Sequence, residues 1–182
     1  MLSLNLLIIA FFHSESNPWC EGCVRGINRE VTHFGSIITC DYTDMLDADL
    51  GTGIGGYKAA LAIRSLWGKR FQMFYPTKRK GTEDAYWSIK HFQGTSKWDL
   101  LYTDKAKQFR KSAAWLGVPW DHSHEGDPTS NAMAEASVGS ITGAIRACCI
   151  TAGLPACFWF FVGYCVCVLR CLETPGRYQC VG

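Results

Sequence analysis

Two apolar, strand-like runs in this chain each end on an aspartate, and a predicted helix later carries a glutamate near its start. The first run leads to Asp41, the second leads to Asp104, and the helix carries Glu135. A sheet holds a side chain at the end of a central strand in a fixed position, and a docked helix can bring a third group beside it. This order of carboxylates favours a fold in which two strands and one helix converge on a single site.

The strand and helix signals follow one another in a definite order. Runs rich in β-branched and aromatic residues predict strands, and apolar positions three and four apart predict helices. Pro76 is expected to end the third strand, and Thr82 to be the N-cap of the first helix. The first predicted helix is expected to bury either Trp87 or Tyr86, and the second is expected to bury Trp115. The predicted strands are 35–45, 57–64, 71–75, 98–103 and 118–122, and the predicted helices are 82–94, 106–116, 131–151 and 156–172.

This order of elements predicts an α/β fold, a five-stranded mixed sheet flanked by helices on both faces. That arrangement is the ribonuclease H-like architecture. The chain of 182 residues is long enough for a hydrophobic core, and its 48% hydrophobic and 19% charged residues are typical of a globular protein. We expect the core at 30–173, a truncated segment at 1–29 before it and a tail at 174–182 after it.

The ten cysteines suggest a disulfide framework at first sight, but their positions argue against it. Six of them lie between Cys148 and Cys171 inside an apolar run, where a cysteine is a small buried hydrophobe in a reducing compartment. The apolar segment 1–12 has no preceding Lys or Arg, which favours a misassigned start codon over a signal peptide. We therefore expect a nuclear or cytoplasmic protein that is not secreted.

A membrane-spanning segment is the weaker interpretation of the uncharged run at 147–169. The run is long enough to cross a bilayer. Gly153 and Pro155 divide it, however, and the predicted fold needs a separate helix on each side of that break. The sequence therefore disfavours a membrane partner.

Cys20 and Cys23 form a Cys-x-x-Cys pair, which is half of a tetrahedral zinc site. The other half is missing, because the chain has one histidine before this pair, His13, where a second would be needed. We expect the pair to be a remnant that binds no structural zinc.

Three acids in the order Asp, Asp, Glu can gather round divalent cations. Hard oxygen ligands suit Mg²⁺. Two such ions about 4 Å apart activate an attacking oxygen and stabilise a leaving one, so phosphoryl transfer needs no nucleophilic side chain. Any one acid taken alone is better explained as a solvated surface residue. The acids expected to be only solvated are Asp44, Asp47, Asp49, Asp99, Asp121 and Glu125.

Basic side chains are clustered, although the net charge of +2 is too small to indicate nucleic-acid binding by itself. One cluster is Lys78, Arg79 and Lys80, and another is Lys105 and Lys107 before and within the second predicted helix. Contacts from Lys and Arg to phosphates supply most of the non-specific affinity for DNA. A solvated charged surface explains the first cluster equally well.

Four sequence blocks resemble the integrase catalytic core of LTR retrotransposons, closest to the copia-like type with its Asp-Asp-Glu pattern. Residues 39–44 resemble the strand with the first Asp, and residues 101–109 resemble the block with the second Asp. Residues 126–135 look like the Gly-x-Pro…Asn…Glu block, and residues 152–159 are similar to the element that follows it. The Cys-x-x-Cys pair matches the last half of the zinc domain that precedes this core.

The resemblance implies a polynucleotidyl transferase and endonuclease that processes DNA 3′ ends and transfers strands. Asp41, Asp104 and Glu135 would be its catalytic metal ligands, with two Mg²⁺ (or Mn²⁺) ions as cofactors. Its partners would be the element ends and target DNA, contacted also by Asn131, and it would act as a homo-oligomer. Lys105 stands where the family usually carries Asn. The alternative is a decayed, catalytically inactive remnant that only binds DNA or a protein partner.

Overall fold

The described residues form five strands that join in one mixed sheet in this computed structural model. The residues that the structure describes are 33–45, 52–67, 71–123 and 132–172. In chain order the strands are β1 (Ile38–Asp44), β2 (Ala59–Ser65), β3 (Gln72–Thr77), β4 (Leu101–Thr103) and β5 (Trp120–His122). Their order in space is β3-β2-β1-β4-β5. The first three strands are antiparallel, whereas β4 runs parallel to both β1 and β5.

Helices cover both faces of this sheet. Helices α1 and α2 pack on one face, and helices α3 and α4 pack on the other. Their bounds are α1 (Thr82–Gln93), α2 (Lys107–Leu116), α3 (Ala132–Ala152) and α4 (Trp159–Leu172), with a 3₁₀ turn at Ala156–Phe158 before α4. The predicted α/β fold is confirmed: it is a ribonuclease H-like, five-stranded mixed sheet flanked by helices.

Strand β2 contributes to a separate core on each face of the sheet. All seven of its residues are buried. Leu61 and Ile63 belong to the core under α1 and α2, whereas Ala60 and Ala62 belong to the core under α3 and α4. Successive side chains of a strand point to opposite faces, so a central strand of a sheet covered on both sides is buried along its whole length.

Helix α4 lies so close to the sheet that one of its positions has no room for a side chain. A Cβ atom added at Gly163 would lie 2.5 Å from Phe74 Cδ1 on β3 and 3.0 Å from Ile145 Cδ1 on α3. Gly163 is buried between them. The absence of a side chain is therefore what lets α4 contact both its neighbours at this point.

The prediction that Pro76 ends the third strand is wrong, because β3 continues to Thr77. β3 is an edge strand, and the Ser65 N–H donates to the Phe71 carbonyl over 2.9 Å. The backbone N–H and C=O groups of the odd-numbered residues of β3 therefore point towards β2, and the nitrogen of Pro76 lies on the free edge. A proline is tolerated there because the sheet loses no hydrogen bond.

Several predicted ends are displaced by a few residues. β1 begins at Ile38 and β4 at Leu101, three residues later than predicted in each case. Thr82 is the first residue of α1, so the N-cap is Gly81 and the predicted cap is wrong. A cap depends on backbone geometry at one residue, which the residue type alone does not settle.

The predicted burial of Trp115 is wrong, and of the two alternatives in α1 Trp87 is exposed whereas Tyr86 is half-buried. Trp115 is 58% exposed and Trp87 is 63% exposed. Helix α2 packs on the sheet and α1 through Phe109, Ser112 and Ala113. Trp115 follows Ala113 by two residues, which is more than half a turn round the helix, so it faces solvent.

No helix within the described residues is both long and apolar enough to cross a membrane. The uncharged run at 147–169 is shared between the end of α3 and α4. Gly153 separates them with a φ of +63°, a left-handed conformation that ends a helix. The break predicted at Gly153 is therefore confirmed.

The cysteines of the described residues are unpaired by disulfides, and their burial varies. Cys149 and Cys167 are buried in the core under α3 and α4, as predicted. Cys165 is exposed, so the prediction of burial is wrong there. It lies two residues before Cys167, on the side of α4 that turns away from the sheet.

Candidate active site

Asp41 and Asp104 lie at the same level on neighbouring parallel strands. β1 and β4 pair with Thr39 opposite Tyr102. Both aspartates follow these paired residues by two positions, so the register brings them side by side, as the sequence predicted. The prediction that Asp41 ends its strand is wrong, since β1 continues to Asp44. It is the pairing with β4 that ends before Asp41.

The carboxyl group of Asp41 is influenced by two other carboxylates. Its pKa is raised from 3.8 to about 6, first by burial and then by the negative charge of Asp104. The Tyr42 N–H, which donates to Asp41 Oδ1 over 2.7 Å, lowers this pKa. Glu135 raises it further and Lys80 lowers it slightly. The three predicted carboxylates therefore share one electrostatic neighbourhood.

Hydrogen bonds fix the turn that follows β4. The Ala106 N–H donates to Asp104 Oδ1 over 3.2 Å at the start of α2. The Thr103 hydroxyl donates to the Asp104 carbonyl over 2.8 Å and accepts from the Trp120 indole N–H over 3.0 Å. Strand β5 thus supports the position of Asp104 from one side, as β1 does from the other.

Glu135 lies in the first turn of α3, and its side chain is exposed. Cys40 on β1 belongs to the core under α1 and α2, so the alternating Asp41 side chain lies on the α3 face. Helix α3 packs against both β1 and β2 on that face. Glu135 and Asp41 are therefore on the same side of the sheet.

The three carboxylates are neighbours without forming a closed set of ligands. Among the described residues, no group of three His, Cys, Asp or Glu side chains is arranged to hold a metal ion. Carboxylate oxygens are the ligands that Mg²⁺ prefers, and a carboxyl group whose pKa is raised by burial and by like charges is stabilised when a cation replaces its proton. The role of Asp41, Asp104 and Glu135 as metal ligands stays a prediction.

Four of the predicted DNA-contacting cations are exposed at the surface. Lys78 and Arg79 lie in the turn after β3. Lys105 and Lys107 lie at the start of α2, directly after Asp104. Their contact with DNA stays a prediction, and the structure places the second pair beside the carboxylates.

Lys80, the fifth of these cations, is also exposed, and it is bound to a carboxylate. Its Nζ lies 2.7 Å from Asp44 Oδ2 at the end of β1. Asp44 is exposed, as predicted, but it is an ion-pair partner as well as a solvated acid. Lys80 therefore ties the start of α1 to the strand that carries Asp41.

Three predicted site residues lie outside the described residues. Asn131 immediately precedes α3, and Cys20 and Cys23 lie before His33. The DNA contact of Asn131 and the absence of structural zinc at the two cysteines stay predictions.

Sequence reasoning missed a buried arginine next to this site. Arg64 on β2 is 8% exposed, and its Nη1 donates to Ser137 Oγ on α3 over 2.9 Å. Burial, and then the positive charge of Arg170, lower the pKa of Arg64 to about 10. Arg64 and Ser137 are 73 positions apart in the chain, and no local pattern indicates that they meet.

Comparison with known proteins gives a structural match and no sequence match. No protein-family model matches this chain, and no curated protein sequence matches it. One similar solved structure is a chain of the simian T-cell lymphotropic virus intasome in complex with the PP2A regulatory subunit B56 gamma. The TM-score is 0.59 at 15% identity, and the match covers 84% of this chain and 53% of that chain. This chain thus spans about half the length of its neighbour, and the likeness establishes an integrase-like fold.

Proposed function

We propose that this chain is the catalytic core of an Asp-Asp-Glu integrase of the copia-like retrotransposon type. Its activity would be divalent-metal-dependent processing of DNA 3′ ends and transfer of those ends into target DNA. The observation that carries the proposal is the register of β1 and β4, which sets Asp41 beside Asp104. The charge of Glu135 acting on Asp41 and the integrase-like fold support it.

In this proposal Asp41, Asp104 and Glu135 hold the cations. Divalent cations held there, Mg²⁺ or Mn²⁺, would supply activation of the attacking oxygen and stabilisation of the leaving oxygen of a phosphodiester. Asp41 loses its proton as the pH rises through about 6, so its carboxylate is available as a ligand at neutral pH. Asp104 is held in one orientation by the Ala106 N–H.

The proposed DNA-binding surface lies beside these carboxylates. Lys105 and Lys107 follow Asp104 directly, and Lys78 and Arg79 lie in the turn that leads to Lys80 and α1. Their positive charges would bind phosphates without reading sequence. The resemblance further implies a homo-oligomer that acts on element ends and target DNA, in the nucleus or the cytoplasm.

A DNA-joining assay tests this function. The purified full chain is incubated with a labelled duplex and a supercoiled target, with Mn²⁺ or Mg²⁺ added in turn. We expect nicked or joined products that disappear in Asp104→Asn and persist in Asp121→Asn, an exposed aspartate on the neighbouring strand β5. A folded wild type that stays inert with every metal would replace the proposal with the decayed remnant that only binds DNA or a protein partner.

A further inference from the structure

The first two turns of α3 carry Glu135 but bring little apolar volume to the core. Ala134 and Ser137 are the buried residues of these turns, Val138 packs against the core only in part, and the first fully buried large aliphatic side chain is Ile141. Dispersion and burial both scale with the atoms in contact, so small side chains hold a helix weakly. Another contact must fix the start of α3 on the sheet.

The Arg64–Ser137 hydrogen bond is such a contact. Arg64 Nη1 donates to Ser137 Oγ over 2.9 Å, and Ser137 Oγ donates in turn to the Met133 carbonyl over 2.9 Å. Arg64 is 8% exposed and Ser137 is 3% exposed. A charge buried to this degree is costly for folding, and an apolar residue would often be no less stable in its place. Stability alone therefore does not account for an arginine at this position.

The two residues of this hydrogen bond also lie on elements close to two of the three carboxylates. Arg64 is opposite Thr39 in the register of β1 and β2, two residues before Asp41 and on the same face. Ser137 follows Glu135 by two residues on α3. The bond thus joins β2, the strand paired with the one that carries Asp41, to the helix that carries Glu135.

We propose that Arg64 is a positioning residue that fixes the start of α3 through Ser137 and so holds Glu135 near Asp41 and Asp104. This inference rests on the proposed function, in which the three carboxylates share divalent cations. Loss of the bond leaves both cores intact but frees the first turns of α3. A bound cation then loses the support of Glu135.

Titration calorimetry of Mn²⁺ binding to the full chain tests this role. Ser137→Ala and Arg64→Met should each raise the Mn²⁺ Kd by about tenfold or more, as loss of a residue that orients a ligand typically does. Thr142→Ala is the matched control, because the Thr142 hydroxyl makes the same kind of bond within α3, to the Val138 carbonyl over 2.8 Å. The control and the conservative variant Ser137→Thr should keep the wild-type Kd.

Two further measurements separate positioning from a purely structural role. The melting temperature should stay close to that of the wild type in Ser137→Ala. The pKa of Asp41, measured by carbon NMR without metal, should fall in Glu135→Gln, and it should also fall in Ser137→Ala, which changes no charge, if Glu135 has moved away. These readouts do not depend on catalysis.

The possible outcomes distinguish this inference from the proposed function. Wild-type Mn²⁺ binding that Ser137→Ala and Arg64→Met leave unchanged would overturn the positioning role and leave the proposed function standing. A loss of affinity matched by a large fall in melting temperature would also overturn it. A wild type that binds no Mn²⁺ would overturn the proposed function, and with it the positioning role that rests on it.

Discussion

The region of β1 that carries Asp41 and the contact of α4 with β3 have opposite effects on the stability of the fold. At the first, burial and then the like charge of Asp104 raise the pKa of the half-buried Asp41 to about 6. At the second, α4 approaches so closely that no Cβ fits between Gly163 and Phe74. The first region holds an arrangement that opposes folding, and the second supplies close packing that favours it. Substitutions should therefore affect activity at one region and stability at the other.

The largest expected effect is the loss of activity in Asp104→Asn. One missing carboxylate removes charge that the transition state needs, so DNA joining should fall by at least about 100-fold. The melting temperature should stay unchanged or rise slightly, because a like charge has been removed. Joining assays and thermal scans on the same preparations measure both. Full activity in this variant would contradict the assignment of the whole site.

The next effect is on stability, in Asp41→Asn. The folded-state pKa of Asp41 is raised from 3.8 to about 6, so its proton stabilises the fold in acid, and this stabilisation is lost as the pH rises through about 6. Asparagine should therefore raise the free energy of unfolding at pH 7.5 by about 2–3 kcal/mol, and should give no gain near pH 3.5. Urea denaturation at the two pH values measures the difference. An equal change in the free energy of unfolding at both pH values would show that the ionised carboxylate of Asp41 does not destabilise the fold.

Gly163→Ala should have an effect of similar or smaller size in the opposite direction. The added methyl group meets Phe74 and Ile145, so unfolding should become easier by about 1–3 kcal/mol. Gly143→Ala on α3 is the matched control, since a Cβ there meets nothing within 4 Å. That variant should gain about 0.5–1 kcal/mol from helix propensity. Destabilisation of both would mean that close approach is not the reason for Gly163.

The smallest effect is expected from the ion pair of Lys80 and Asp44. Both side chains are substantially exposed, so Lys80→Met should change the free energy of unfolding by less than about 1 kcal/mol. Asp44→Asn should leave DNA joining near the wild-type rate, in contrast with Asp104→Asn. A large loss of activity in Asp44→Asn would extend the site along β1 and weaken the contrast drawn above.

The sheet and the meeting of two aspartates were predictable because both depend on the order of elements. Strand-like runs before Asp41 and Asp104 identify two strands, and the fold makes them neighbours. Whether a residue sits at an edge depends on the finished sheet, and for this reason the place of Pro76 was predicted wrongly. Residue type alone predicts that Trp115 is buried. Its exposure instead follows from which side of α2 packs against the sheet.

Contacts that depend on how the helices pack on the sheet could not be predicted from one sequence. Arg64 follows an apolar run and resembles an ordinary strand end, and its partner Ser137 is 73 positions away. Gly163 lies in an apolar helix, where a glycine normally lowers the stability of the helix. Only the separation of α4 from β3 shows why it is needed. Both positions depend on how the helices dock, and local propensity carries no record of that.

Pro76 also protects the protein from adding strands to its own sheet. The free edge of β3 would otherwise offer a regular row of backbone donors to a strand from another molecule. Pro76 removes the last donor of that row, and Cys171 Sγ lies 3.8 Å from the Gln72 carbonyl on the same edge. The opposite edge, β5, is only three residues long. A chain with this much apolar strand sequence is thus defended at both edges against cross-β aggregation.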